Sequence, residues 1–364
     1  MTAMVDRAGS HAVQVIIGVD THRDTHVAVA VDQQGVRLAE RDVETSTPGF
    51  VQLERWSRSQ GEIRAFGIEG TGSYGAGVAR FLSSRGYTVV EVNRPDRSTR
   101  RQKGKSDSTD AEMAARAVLA GVANATPKSG EGEVEMLRML KNTKNSAVKA
   151  RTQALNQMAA LVVTAPAVLR ETLDSLASGA LAARCASLRP GHVDHPTAAA
   201  KYALRSLARR YRQLTAEIRG LEKELGRLTW KIAPALVDAF GVGPDTAATL
   251  LVTAGSNPER LRSEAAFAAL CGVSPLPASS GKTTRHRLNR GGDRQANAAL
   301  HRMVVVRLRY DQRTLAYMQR RTQQGMSKAE VIRCLKRYVA REVFAFLQEL
   351  GRNDLGPIPK NWSG

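Results

Sequence analysis

The chain has 364 residues, enough for two or three domains and a sizeable core. Lysine and arginine total 54 against 34 aspartates and glutamates, a formal charge of +20. That excess points to a polyanionic partner, nucleic acid before an anionic membrane. No apolar run reaches the length of a spanning helix, and the first residues lack the basic, apolar, small-residue order of a signal peptide. Three scattered cysteines, Cys185, Cys271 and Cys334, predict neither a disulfide framework nor a zinc cluster and suit a reducing compartment.

After a loose start, the β-rich run VQVIIGVD at Val13–Asp20 predicts a buried strand. HVAVAVD at His26–Asp32 alternates and predicts a second, and Val36–Glu44 predicts a third after the Gln33-Gln34-Gly35 turn. Thr47-Pro48-Gly49 opens a helix with Phe50, Leu53 and Trp56 at helical spacing. AFGIE at Ala65–Glu69 is a fourth strand, broken by Gly70-Thr71-Gly72 before a helix over Tyr74–Ser84. Gly86 ends that helix, and YTVVEV at Tyr87–Val92 is a fifth strand. A basic loop, 94–105, leads into KSDSTDAE at Lys105–Glu112, where an alanine-rich helix begins with Ser106, Asp107 or Ser108 as its cap.

The order β-β-β-α-β-α-β-α is that of a ribonuclease H-like fold. That fold carries acids at the end of its first strand, at the end of its fourth and on a late helix. Asp20, Glu69 and the pair Asp107 and Asp110 stand at those places. Asp107 and Asp110 are one helical turn apart and share a face. Each acid has a plain alternative, a solvated strand end or a favourable charge at the positive end of a helix dipole. Four in this order predict instead a site of hard oxygen ligands for Mg²⁺ or Mn²⁺, suited to phosphodiester chemistry. Arg94, Arg97, Arg100, Arg101, Lys103 and Lys105, just upstream, would hold backbone phosphates.

Residues 126–200 read as helical, with a broken stripe of Leu137, Leu140, Val148, Leu155, Met158 and Val162, and with His192 and His195 as loop histidines. From Leu204 to Ile232 apolar residues follow alternating steps of three and four, a heptad seam that does no chemistry. It pairs either between subunits or back onto the 137–162 stripe. Gly241-Val242-Gly243 before a small-residue helix is similar to a helix-hairpin-helix turn, whose N–H groups can hold a phosphate. In Gly272–Lys282, Ser279 and Ser280 precede Gly281 and the cations Lys282, Arg285, Arg287, Arg290 and Arg294. Serine before glycine is an ordinary turn. Among cations beside DNA it is also a candidate nucleophile, one needing a base or a metal for activation; no histidine–acid partner is spaced for a triad, and His286 is only a candidate base. Asp293–Leu308 and Lys328–Leu350 complete the predicted helices, the latter with Ile332, Leu335, Val339, Val343, Phe346 and Leu350 as its core stripe.

GVDTHRDTH around Asp20, GIEGTGSYG around Glu69, KSDSTDAEMAA, FGVGPDTAATLL and FAALCGVSPLPASSGKTTRHRLNRGGDRQANAAL occur in the order of one family. The sequence resembles the DEDD-type insertion-sequence transposases, the "one-ten" insertion-sequence family that also contains the pilin-gene invertases. The resemblance implies an α/β plus α chain. It has a RuvC-like DEDD domain over 13–125, a helical coiled-coil region over 126–235 and a C-terminal serine transposase domain with a helix-hairpin-helix-like motif over 236–350. It implies catalysis by Asp20, Glu69, Asp107 and Asp110 with Mg²⁺ or Mn²⁺. It further implies a serine, Ser280 or alternatively Ser279, that links covalently to the 5′ phosphate of the cut strand. Its implied partners are double-stranded donor and target DNA, a structured non-coding guide RNA pairing with both, and further copies of the chain as a dimer or tetramer. The implied setting is the cytoplasm with the nucleoid. After the serine the family often carries a longer glycine-rich stretch, whereas this chain reads KTTRHRLNRGG. A metal-only RuvC-like nuclease or Holliday junction resolvase, needing the acids but not the serine, is the competing expectation.

Overall fold

The computed structural model describes residues 13–92, 106–278, 286–287 and 289–351. It divides into two compact units, Met1–Gly130 with Gly255–Arg262, and Glu131–Ala254 with Ser263–Gly364.

The first unit is built on a five-stranded sheet. Its strands are β1 (Gln14–Thr21), β2 (Thr25–Asp32), β3 (Arg37–Glu44), β4 (Glu62–Glu69) and β5 (Val89–Val92), in the spatial order β3-β2-β1-β4-β5. The meander β1-β2-β3 is antiparallel, while β4 lies parallel to β1 and β5 parallel to β4. Among the described residues three helices connect and cover it: α1 (Thr47–Gln60), α2 (Ala76–Ser84) and α3 (Asp107–Leu119). Across the described residues of this unit the predicted order of strands and helices holds. Ser46 caps α1 by accepting from the Gly49 N–H, and Pro48 sits in the first turn, where its missing N–H costs nothing.

Strand alternation assigns the two faces of the sheet. Val15, Ile17 and Val19 of β1 join Ala28, Ala30, Phe66 and Ile68 in a core closed by Phe50 and Leu53 of α1 and Val78 and Leu82 of α2. Ile16, Val29 and Val31 point the other way and pack against Ala111 and Ala115 of α3. Both faces are buried, which is why β1 reads as a continuous apolar run rather than an alternating one.

The second unit is helical. Its elements are α4 (Gly132–Thr164), α5 (Ala167–Leu173), α6 (Ser178–Ala186), α7 (Pro196–Ile232), α8 (Pro234–Asp238), α9 (Pro244–Ala254), α10 (Glu264–Leu270), α11 (Arg294–Tyr310), α12 (Gln312–Gln323) and α13 (Lys328–Gly351). A two-residue ladder pairs β6 (Leu276–Pro277) with β7 (His286–Arg287). The long helices α4 and α7 pack on each other, so the 204–232 seam folds back within the chain. Met158 and Val162 meet Leu204 and Ala208 there, while Leu214 and Leu221 of the seam stay half-buried. On α4 the buried side carries two lysines as well as apolar residues. Lys141 and Lys144 reach the Asp245 carboxylate, at 2.5 and 2.8 Å, in the first turn of α9. Burial pushes Asp245 upward, but the two ammonium groups outweigh it and hold the carboxyl below its ordinary range. The helix start after Gly241-Val242-Gly243 therefore carries an acid of its own. Val331, Leu335, Val339, Val343 and Leu347 form the buried side of α13. Among the described residues no helix is long and apolar enough to cross a membrane.

Candidate metal centre

Asp20 closes β1 and Glu69 closes β4. The two strands run parallel with Val19 opposite Ile68, so the acids are the next residue along each. The Thr21 hydroxyl donates to the Glu69 carbonyl at 2.9 Å and ties the two strand ends together. Asp20 has the parity of Ile16 and Gly18, and Glu69 that of Gly67. Both acids thus leave the sheet on the side that α3 covers.

Helix α3 reaches that side because two strand positions have no side chain. A Cβ on Gly18 would lie 1.9 Å from the Ala111 carbonyl oxygen and 2.6 Å from the Ala115 nitrogen. A Cβ on Gly67 would lie 2.7 Å from Val118 Cγ2 and 2.9 Å from the Ala114 oxygen. Glycine lets backbone approach backbone, and the helix sits directly on the strands. Ser106 caps it by accepting from the Thr109 N–H at 3.2 Å, which fixes the first turn and with it Asp107 and Asp110. Arg37 on β3 donates to Ser108 at 2.8 Å and lies 3.6 Å from Glu112, a second tie between sheet and helix.

The result is a cluster at the C-terminal end of the central strand. One ligand atom each from Asp20, His22 and Asp107 lies within 4.8 Å of the others. His22 Nε2 stands 3.3 Å from an Asp20 oxygen and 3.2 Å from an Asp107 oxygen. Asp110 is buried close by and interacts electrostatically with Asp20. Burial raises the Asp20 carboxyl above its ordinary range. His22 opposes that rise, and the like charges of Asp110 and Asp107 add to it. Glu69 is half-buried at its strand end and lies outside the group of three. Carboxylates crowded together in this way favour either a shared proton or a cation between them. An oxygen-rich donor set with a solvent-shielded imidazole nitrogen that makes no hydrogen bond fits a divalent ion.

Sequence reasoning marked the four acids and missed His22. The signal was present in Asp-Thr-His, since residues two apart at a strand end share a side of the sheet. Of the predicted phosphate-binding cations, Arg287 on β7 and Arg290 after it are exposed. Arg94, Arg97, Arg100, Arg101, Lys103, Lys105, Lys282 and Arg285 lie outside the described residues, as do Ser279 and Ser280.

An acidic cluster of this kind suits divalent-metal use, the chemistry that metal-assisted phosphodiester enzymes rely on. Residues 17–165 match the transposase model DEDD_Tnp_IS110, and residues 233–319 match the model Transposase IS116/IS110/IS902 family. Together the two matches cover more than half of the chain, one over each end of it. The chain belongs to the IS110-type DEDD transposases and is a DNA transposase, an enzyme of DNA strand recombination. A search of curated proteins finds no match.

Proposed function

We propose that this transposase cuts and rejoins DNA with two sets of residues, a metal-holding acidic site and a nucleophilic serine. Asp20, Glu69, Asp107 and Asp110 would hold Mg²⁺ or Mn²⁺. The observation that carries this part is the convergence of Asp20, Asp107 and Asp110 at the C-terminal end of the central strand. A bound ion there supplies Lewis acidity to the phosphodiester and charge stabilisation to the oxygens that attack and leave.

The remaining chemistry belongs to the chain. The Ser280 hydroxyl, with Ser279 as the alternative, attacks the phosphorus while a site carboxylate takes its proton. A serine–phosphate ester forms to the 5′ end and a 3′ hydroxyl leaves. Because one ester replaces another, a second hydroxyl can reverse the exchange and rejoin strands without an outside energy source. Arg94, Arg97, Arg100, Arg101, Lys103, Lys105, Lys282, Arg285, Arg287 and Arg290 hold phosphates beside the reacting strand. The helix-hairpin-helix-like turn at Gly241–Gly243 would add a backbone contact to DNA, and the 204–232 seam a coiled-coil brace. In this reading a structured guide RNA pairs with donor and target. Copies of the chain assemble as a dimer or tetramer in which the acids of one subunit work with the serine of another. Support for this comes from the family match and the charge of +20.

The test traps the full chain on a labelled recombination substrate, followed by denaturation, digestion and mass spectrometry. A phosphoserine-linked nucleotide at Ser280 is the expected product, and one at Ser279 moves the nucleophile by a single residue. If no adduct forms and Ser280→Ala and Ser279→Ala each cut and join at the wild-type rate, the serine step is wrong. A metal-only nuclease then remains.

A further inference from the structure

The Asp20–Asp107 cluster contains a donor of a different chemical kind. His22 follows β1, and its backbone is held on both sides. Its N–H donates to the Thr25 carbonyl at 3.1 Å, and its carbonyl accepts from the Thr45 hydroxyl at 3.3 Å. The turn between β1 and β2 is thereby fixed, and the imidazole is carried over the acids. The side chain is 43% exposed, yet its Nε2 is shielded from solvent. That nitrogen lies between the two carboxylates, 3.3 and 3.2 Å away, but neither contact has hydrogen-bond geometry.

A simple ion pair would aim an N–H at one oxygen. Here the nitrogen is nearly equidistant from both oxygens, and the three ligand atoms lie within 4.8 Å of one another. The spacing has a natural reading. Ligands roughly 2.1–2.2 Å from an octahedral ion stand about 3 Å apart along each edge. Both nitrogen–oxygen separations approach such an edge. We infer that His22 Nε2 is a direct ligand of the divalent ion held by Asp20 and Asp107, and that this nitrogen biases the site towards Mn²⁺ over Mg²⁺. Mn²⁺ also favours oxygen, but as a transition-metal ion it accepts an imidazole nitrogen beside its carboxylates more readily than Mg²⁺, which holds to oxygen and keeps its waters. The inference rests on the proposed metal site and adds a ligand and a preference to it.

The experiment uses the full-length protein with Mn²⁺ alone as the probe. Electron spin-echo envelope modulation reads nitrogen bound to the ion, and labelling histidine with ¹⁵N identifies the source as imidazole. The wild type should show a ¹⁴N coupling that changes on labelling and disappears in His22→Ala. Calorimetric titration of His22→Ala should show Mn²⁺ binding weakened about tenfold and Mg²⁺ binding changed less than about threefold. Asp20→Asn separates the two layers of the argument. If Mn²⁺ binding is unaffected by Asp20→Asn, the metal site itself is misplaced. If binding depends on Asp20 but the wild type shows no imidazole coupling, the site stands and His22 is not a ligand. The wild-type spectrum decides the second point even where His22→Ala does not fold.

Discussion

Gly18→Ala is expected to damage both stability and catalysis, by adding one methyl group with no polar atom. The new Cβ would sit 1.9 Å from the Ala111 carbonyl oxygen and 2.6 Å from the Ala115 nitrogen. Both are backbone atoms inside α3, so no side chain can swing away. To restore an ordinary contact, strand and helix must separate by roughly 1.5 Å. Overpacking of this kind costs about 3 kcal/mol, the upper part of its usual range, because the strain falls on backbone. The same retreat carries Asp107 and Asp110 away from Asp20. A displacement near 1 Å at reacting groups costs about 100-fold in rate. Urea unfolding and strand cleavage on a labelled substrate measure the two effects separately. Gly67→Ala should cost less, since its nearest neighbour is the Val118 side chain at 2.7 Å. Gly72→Ala, with nothing within 4 Å of its Cβ, should leave the unfolding midpoint unchanged. Wild-type stability and a cleavage rate within about threefold of wild type for Gly18→Ala would show that α3 is not seated on β1, and the account of how the acids meet would fall with it.

Other consequences are equally direct. Asp20→Asn removes a carboxylate whose pKa is raised chiefly by burial, so the folded state loses stability as pH rises from about 3.8 through the raised value. The metal-free variant should therefore melt higher than metal-free wild type near neutral pH, while the rise in melting temperature on adding Mg²⁺ should vanish along with strand cleavage. Asp245→Ala leaves the largely buried Lys141 without a carboxylate, while Lys144 keeps Glu222 at 3.0 Å, and should cost about 3 kcal/mol in urea unfolding; a loss below about 1 kcal/mol would mean that Lys141 finds water. His26 is fully buried and stacked on Phe50, and burial holds its pKa below the ordinary value. The unfolded chain takes up the proton first, so stability should fall as pH drops below about 6.5, and His26→Phe should flatten that dependence. DNA affinity should fall at least roughly tenfold between about 50 and 200 mM salt, with a shallower slope for Arg287→Glu combined with Arg290→Glu.

The first unit was legible because its signals are local. Strand runs, the Gly70 and Gly86 breaks and the Ser106 cap each act within a few residues, and every strand and helix they predicted is present. The acids were legible for the same reason, since a charged residue ending an apolar run stands out. What escaped depends on pairs distant in sequence. That Gly18 and Gly67 make room for α3 cannot be seen without knowing what lies opposite them. Nothing local to Lys141 and Lys144 announces that they face inward, since what meets them is Asp245, about a hundred residues on. The heptad seam admits two pairings, and spacing along the chain does not show that α4 and α7 pack on each other. Helix α12 was passed over because its sequence is mostly polar, with Thr314 its one buried residue. The segment Gly255–Arg262 joins the first unit through contacts such as Asn257 with Pro127 and Ser129, which no pattern along the chain announces.

The register of β1 joins structure to chemistry in a single constraint. Odd-numbered residues Val15, Ile17 and Val19 fill the core beneath α1 and α2, and even-numbered Ile16, Gly18 and Asp20 face α3. A slip of one residue would press the side chains of Ile17 and Val19 against the α3 backbone and turn Asp20 into an apolar core. Burying an unpaired carboxylate there costs several kcal/mol on top of the steric clash. The register that folds the sheet is therefore the one that aims Asp20 at Asp107. Because the glycine that admits the helix and the acid that meets it are two residues apart on one strand, neither can shift without the other, and the site inherits its geometry from the packing of the sheet.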